Sequence, residues 1–297
     1  MNALVYHMAS GQAFFSGFVL IEQAVFTGFR AGGRWLSLWR TISACAGLLL
    51  TVVSATPLPG SFYLVAVVTT LAWIGLEDST WSWARNSRVW LRYAVIAVWW
   101  LGTVLEVPFH LMPVVPRMGN PQVYVVGDSI SAGLGSETAP WPLLLSKRHH
   151  VSVRNLARPG ATVAGAMRQV EQISGSPSLV VVEIGGNDIL GGTTPEAFER
   201  GLEALLARLR RGGHTIVLLE LPLPPFANRF GAAQRRAARH HGALLVPKRL
   251  LMGVLTSEGA TLDTIHLTDH GNALMAKAVW AVINHAFGSR DISRSTP

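Results

Sequence analysis

Two short stretches, with a few single residues between them, carry residue types suited to acyl-transfer chemistry. Residues 124–133, YVVGDSISAG, end an apolar run in Gly127, Asp128 and Ser129. A serine hydroxyl is a weak nucleophile until a general base takes its proton and a third group orients that base. Residues 263–272, DTIHLTDHGN, offer both partners on one loop, with Asp263 three positions before His266. The carboxylate can accept the imidazole Nδ1–H and leave Nε2 facing the serine. His270 is a rival base, placed behind His266 because it falls in the first turn of the helix expected next. The oxyanion of the reaction needs fixed donors. The candidates are the Ser129 N–H, the Gly160 N–H and the Asn187 side-chain amide, with Asp188 in a supporting position. An asparagine after two glycines also reads as a turn residue that tolerates a left-handed backbone. Asp128 is expected to shape the turn that holds Ser129 rather than to serve as the triad acid.

Other chemistries fit less well. His149-His150 and His240-His241 lack metal-ligand spacing, and Cys45 is the single cysteine, so neither a cysteine-ligated zinc site nor an internal disulfide is expected. No metal or cofactor is implied. No G-x-S-x-G elbow surrounds Ser129, because position 131 is serine. The glycine pairs at 185–186 and 191–192 are not followed by a lysine-serine or lysine-threonine phosphate loop. The net charge of +8 raises the possibility of nucleic acid, yet bases and acids are interleaved and no recognition motif appears. The densest basic run, RRAARHH at 235–241, has helical spacing and reads as a solvated face that could lie near anionic lipid headgroups.

The elements that must position these residues follow a repeating pattern from Val123 onward. Apolar runs at 123–126, 151–157, 178–184, 215–221 and 243–247 read as strands. Helical patterns separate them at 141–147, 163–173, 194–209 and 227–241, and a last helix runs from Thr268 or Asp269 to about Phe287. Thr194 followed by Pro195 is a helix-start signal. This alternation predicts an α/β fold, a doubly wound parallel five-stranded sheet flanked by helices, in flavodoxin-like order. Ligands of such folds bind beyond the carboxyl ends of the strands, where Ser129, Gly160 and Asn187 fall.

The first 119 residues differ in kind. Charged residues make up 14% of the chain, below the roughly 25% of ordinary soluble domains. Residues 1–119 hold seven arginines, no lysine and four acids. Uncharged or nearly uncharged stretches at 41–58, 60–76 and 93–111 predict three membrane-spanning helices, with Pro57 and Pro59 in the turn between the first two. Residues 11–29, with a polar stripe of Gln12, Ser16, Gln23 and Thr27, could be a fourth span or an interfacial helix. Arg30, Arg34, Arg40, Arg85, Arg88 and Arg92 flank the spans on one side, which the positive-inside rule assigns to the cytoplasm. The second half would then be extracytoplasmic, on a multi-pass inner-membrane protein with a periplasmic domain. The boundaries expected are a membrane region at 1–112, a proline-rich linker at 113–122, a catalytic domain at 123–290 and a tail at 291–297.

The blocks VVGDSISAGLG, NLARPGATV, VVVEIGGNDILGG and LDTIHLTDHGNALMA, in this order, resemble the SGNH (GDSL-type) hydrolases. Trp141-Pro142 and the GGND block bring the chain nearest the lysophospholipase L1-like, thioesterase and arylesterase branch. The resemblance covers about 120–287 and none of the membrane region. It implies Ser129 as nucleophile, His266 as base, Asp263 as orienter, and Ser129, Gly160 and Asn187 as the oxyanion hole. Thr264 departs from the family, which often has glycine there. The function expected is a membrane-anchored serine esterase or thioesterase acting on a small-molecule, lipid or glycan acyl ester. Two alternatives stay open: an acyltransferase or deacetylase working on envelope glycans, and a non-catalytic membrane-tethered binding module.

Overall fold

The computed structural model describes residues 3–29, 33–77, 79, 84–135, 139–175 and 177–288. Two compact units emerge, one from 7–110 with 223–228, the other from the described residues of 1–6, 111–222 and 229–297.

The first unit is helical, with the end of α1 (Ala3–Ala9), then α2 (Gln12–Gly28), α3 (Arg34–Val53), α4 (Gly60–Glu77) and α5 (Ala84–Glu106). Among the described residues, three helices are long and apolar enough to cross a membrane, Arg34–Val53, Gly60–Glu77 and Asn86–His110, or four if the bent pair α1 and α2 counts as one span. The first helix sits earlier than 41–58, starting at Arg34 and ending at Val53. Pro57 explains the early end: it lacks an N–H and disfavours helical geometry at Thr56. α2 and α3 meet at glycines, since a Cβ on Gly17 would lie 2.5 Å from the Gly47 carbonyl. Small residues at such a crossing let two backbones approach.

The arginine positions converge at one end of this unit. Glu77, at the end of α4, pairs with Arg92 of α5 and lies 3.7 Å from Arg40 of α3. Trp73 Nε1 donates to the same carboxylate at 2.8 Å, and Arg88 donates to the Glu77 carbonyl at 2.9 Å. Arg30 and the Arg85 side chain lie outside the described residues. At the far end of α5, buried Glu106 pairs with His110 at 3.2 Å.

The second unit alternates strand and helix: β1 (Val123–Gly127), α6 (Ser129–Ala132), α7 (Trp141–His149), β2 (Val153–Asn155), α8 (Val163–Val170), β3 (Leu179–Glu183), α9 (Gly186–Leu190) and α10 (Pro195–Arg211). It continues with β4 (Thr215–Leu219), α11 (Asn228–His241), β5 (Leu244–Val246), α12 (Arg249–Leu255) and α13 (Asp269–Ile283). The five strands are all parallel, in the order β2-β1-β3-β4-β5. This is the predicted doubly wound sheet with flavodoxin-like order. β1 and β3 are buried at every position, as expected for central strands covered on both faces. β2 to β5 are shorter than their apolar runs, because residues such as Leu156 and Leu221 are buried outside the strands, while α7 and α10 run two residues further than expected.

Alternate strand residues feed two helix layers. Val123, Val125, Leu179, Val181 and Val217 pack with Trp141 of α7, Leu251 of α12 and Met275 and Val279 of α13. α8 and α10 contact each other and the sheet, and α10 buries Phe198, Leu202, Leu205, Leu206 and Leu209. Each such side chain contributes roughly 1.5–3 kcal/mol on burial. The basic run at 235–241 is solvent-exposed at Arg236, Arg239 and His240, but not throughout. Arg235 is buried and donates to Glu220 at 2.7 Å, and Arg236 donates to Glu199. α11 presents Arg235 to Glu220, just after β4, and Arg236 to Glu199 of α10, a match that linear spacing does not reveal.

Candidate active site

The chain visits β1, then β2 on one side, then β3 on the other, so the topological switch lies between β1 and β3. Their last residues, Gly127 and Glu183, are register partners. A Cβ on Gly127 would lie 2.8 Å from the Glu183 carbonyl and 2.9 Å from Ser131 Cβ, so only glycine fits where β1 turns into α6. Gln169 of α8 satisfies both polar groups of that turn, accepting from the Gly127 N–H and donating to its carbonyl, each at 2.9 Å. Asp128 N-caps α6 by accepting the Ile130 N–H at 3.0 Å. It shapes the turn, and Ser129 follows as the first helical residue.

His266 Nε2 lies 3.1 Å from Ser129 Oγ, and His266 Nδ1 lies 2.7 Å from Asp263 Oδ2. The second Asp263 oxygen accepts the backbone N–H groups of Thr264, Ile265 and His266 at 2.5, 2.7 and 2.9 Å. These bonds, with the His266 side chain, hold the Asp263 carboxyl well below the usual carboxylate range although it is mostly exposed. Thr264 in place of glycine leaves this N–H turn intact. The loop is closed by a Thr261–Leu267 bridge and a Leu262 N–H to His266 carbonyl bond of 2.8 Å. Thr268 caps α13. His270 lies in that helix and makes no contact with Ser129 among the described bonds.

Among the described residues, no acceptor takes the backbone N–H of Ser129 or Gly160, so both are free to donate. Gly160 has φ of 72°, which favours glycine. Asn187 is placed by α9, after Gly185 with φ of 118°. Its Nδ2 donates to the Ala161 carbonyl at 3.0 Å and to Asp128 Oδ2 at 3.3 Å. Asn187 therefore ties the Gly160 loop to the Ser129 turn, and one of these hydrogens must swing or be shared for the amide to serve as an oxyanion donor. Asp188 accepts the Val163 N–H at 2.9 Å and braces the start of α8, with burial raising its pKa.

Sequence reasoning missed the layer beneath Ser129. Glu183 is fully buried, and its Oε2 accepts from Ser131 Oγ at 2.8 Å. Trp141 Nε1 donates to the same hydroxyl at 3.3 Å. Asp128 and Glu183 are neighbours beneath the turn, where burial favours the neutral form of each. Burial, then repulsion from Asp128, raises Glu183 far above its ordinary range, and burial pushes Asp128 up to about 6. Glu183 Oε1 has no N–H or O–H donor, which also fits a protonated acid. The signal available in sequence is one acid inside the apolar run VVVEI. Asn272, also missed, accepts the Trp141 N–H at 2.8 Å and donates to the Thr268 carbonyl at 3.0 Å.

One group could hold a metal by geometry. Ligand atoms of Glu203, His240 and His241 lie within 4.8 Å of one another. Both imidazoles bond the same carboxylate oxygen, at 3.0 and 2.6 Å, which accounts for the cluster as hydrogen-bonded pairs.

Residues 125–274 match the family model described as the GDSL-like Lipase/Acylhydrolase family. The chain belongs to this family and is an ester-hydrolysing enzyme of the GDSL or SGNH type. It is 32% identical to the protein named Esterase TesA of Pseudomonas aeruginosa, over 54% of this chain and 86% of that one. It is 28% identical to Thioesterase 1/protease 1/lysophospholipase L1 of Escherichia coli K12, over 54% of this chain and 84% of that one. The fold matches that of the psychrotrophic esterase EstA from Pseudoalteromonas sp., with a TM-score of 0.50 and 20% identity, over 55% of this chain and 97% of that one.

Proposed function

We propose that this chain is a membrane-anchored serine esterase or thioesterase working through Ser129, His266 and Asp263. The observation that carries this reading is the continuous contact from Asp263 through His266 to Ser129, at 2.7 and 3.1 Å. Ser129 Oγ attacks the acyl carbonyl while His266 Nε2 takes its proton. The N–H groups of Ser129 and Gly160 and the Asn187 amide hold the oxyanion. His266 then gives the proton to the leaving alcohol or thiol, and the ester bond breaks to leave an acyl-Ser129. Water, deprotonated by His266, attacks that acyl group and releases the acid. Asp263 fixes the imidazole tautomer and stabilises its charge.

The domain reading proposed is a membrane region at 1–112, a linker at 113–122 and the catalytic domain at 123–290. The cluster of Arg40, Arg88 and Arg92 around Glu77 supports a cytoplasmic face at that end of the helices. An odd number of spans after it then carries the catalytic domain to the periplasmic side. The substrate class is small or lipid acyl esters, as the names of the relatives indicate for those proteins. Turnover of a short-chain aryl ester or thioester by the full chain in detergent tests the assignment. Ser129→Ala should lower kcat by at least about 10⁴-fold, and unchanged turnover would sink it.

A further inference from the structure

The cavity against Gly160 carries two cations and no counter-charge. It has a volume of about 340 Å³, and its walls include Arg158, Gly160, Thr162, Gly165 and Arg168. Among the described residues no acidic side chain lines it, and neither guanidinium has an ion-pair partner. Three of the four arginines of α11 behave differently, since Arg229, Arg235 and Arg236 each pair with a glutamate. Two unmatched guanidiniums on one concave surface favour an anion.

The backbone fixes this surface beside the chemistry. The Arg158 N–H bonds the Gly127 carbonyl at 3.1 Å, and the Ala161 N–H bonds the Arg158 carbonyl at 3.1 Å. The turn between them contains Gly160, whose free N–H is a proposed oxyanion donor. Thr162 caps α8 by accepting the Gly165 N–H at 3.4 Å. Gly165 leaves the wall low, and Arg168 Nη2 lies 4.0 Å from the place a Cβ would take there. The Thr162 hydroxyl proton remains available as a further donor.

We propose that Arg158 and Arg168 form an anion subsite for a phosphate-type group on the alcohol side of the ester, a few bonds from the scissile carbonyl. This rests on the esterase reading of Ser129 given above. An apolar acyl chain gains nothing from two guanidiniums, so the charge belongs to the group that leaves. A glycerophosphate ester places its phosphate close enough to share a wall with the oxyanion donor. A phosphate at the end of a long pantetheine arm would lie beyond it. Planar guanidiniums bind phosphate through paired N–H groups, and two of them around one cavity select for that geometry.

The test compares two esters of one short acyl chain, monoacylglycerol and the matching acylglycerol phosphate, below their aggregation concentrations, with the full chain in detergent. The expected kcat/KM ratio favours the phosphate ester by about tenfold or more. Arg158→Ala/Arg168→Ala should bring that ratio close to one, and Arg158→Glu/Arg168→Glu should invert it. A ratio near one in the unaltered protein, or a ratio that survives both double variants, overturns the subsite. An acyl-coenzyme A preference that the alanine variant alone abolishes also overturns it, by moving the anion to the long-arm source. A second arm needs no turnover: binding of the non-hydrolysable alkyl ether of glycerol phosphate, measured calorimetrically. Saturable binding lost in the alanine variant supports the subsite, and binding that is absent or unchanged overturns it. If neither ester is turned over while the ether binds, the esterase reading fails and the subsite stands.

Discussion

Two sets of carboxyl groups flank Ser129, and they are built in opposite ways. Asp263 is 57% exposed at its side chain, yet three backbone N–H groups and His266 hold it ionised. Asp128 and Glu183 are buried beneath the turn, where burial raises both carboxyls and repulsion from Asp128 raises Glu183 further. Negative charge is concentrated where it can orient an imidazole and is limited where it would sit under the proposed nucleophile. A full double charge beneath Ser129 would oppose the oxyanion that forms there. The contrast also shows that exposure alone does not set protonation: the solvent-facing group is the more acidic because its hydrogen bonds favour the charged form.

Removing the charge of Asp263 should break the comparison most severely. Asp263→Asn preserves size and can keep an oxygen toward the loop N–H groups. Its amide then offers a donor to His266 Nδ1 and favours the tautomer with the proton on Nε2, facing Ser129. A fall in kcat of about 10³–10⁴-fold is expected, with near-native folding by circular dichroism. A smaller effect should follow from the group that bridges the two sets. Asn187→Ala removes the amide that bonds Asp128 and the Ala161 carbonyl. As an oxyanion donor it should cost roughly 10²–10³-fold in kcat with KM little changed. A rise in KM alone would assign Asn187 to positioning of the Gly160 loop instead.

How much of this was legible in the sequence depends on the range of each interaction. The strand alternation, the membrane-type helices and the Asp263-x-x-His266 pair are local patterns, and they predict the parallel sheet and the triad candidates. Gly160 and Asn187 were placed by the rule that ligands bind beyond strand ends, which needs only the order of elements. The contacts of the 235–241 run were not legible, because Glu199 and Glu203 come from α10 and Glu220 from just after β4, and they meet α11 only after folding. Glu183 lay in plain view as an acid in an apolar run. Its partner Asp128 is 55 residues away in sequence and reaches it through the β1–β3 register, which no spacing rule supplies. The end of α3 at Val53 was also missed, because an apolar run continues through Pro57 while the helix does not.

The last expected effect is small and falls on stability rather than rate. Glu183 and Asp128 have folded-state pKa values raised above their ordinary ones, Asp128 to about 6. An acid with a raised folded pKa binds its proton more tightly in the fold than in the unfolded chain. Its contribution to stability is complete below the unfolded value of 3.8 for Asp128 and is lost as pH rises through about 6. Glu183 extends that loss to higher pH. Asp263 has the opposite sign, contributing above its unfolded value of 3.8 and losing that contribution as acid is added. Its exposure to solvent makes this the weaker term. Glu183→Gln removes the titrating proton of the buried pair while its amide can still donate to Asp128 and accept from Ser131. The melting temperature of the full chain in detergent should therefore decline less between pH 5 and 8 in Glu183→Gln than in the unaltered protein. A difference of a few degrees is expected, at ~2–4 °C per kcal/mol for a domain of this size. Parallel declines in the two proteins would show that Glu183 is ionised throughout, and the contrast between the exposed acid and the buried pair would collapse to a difference in packing.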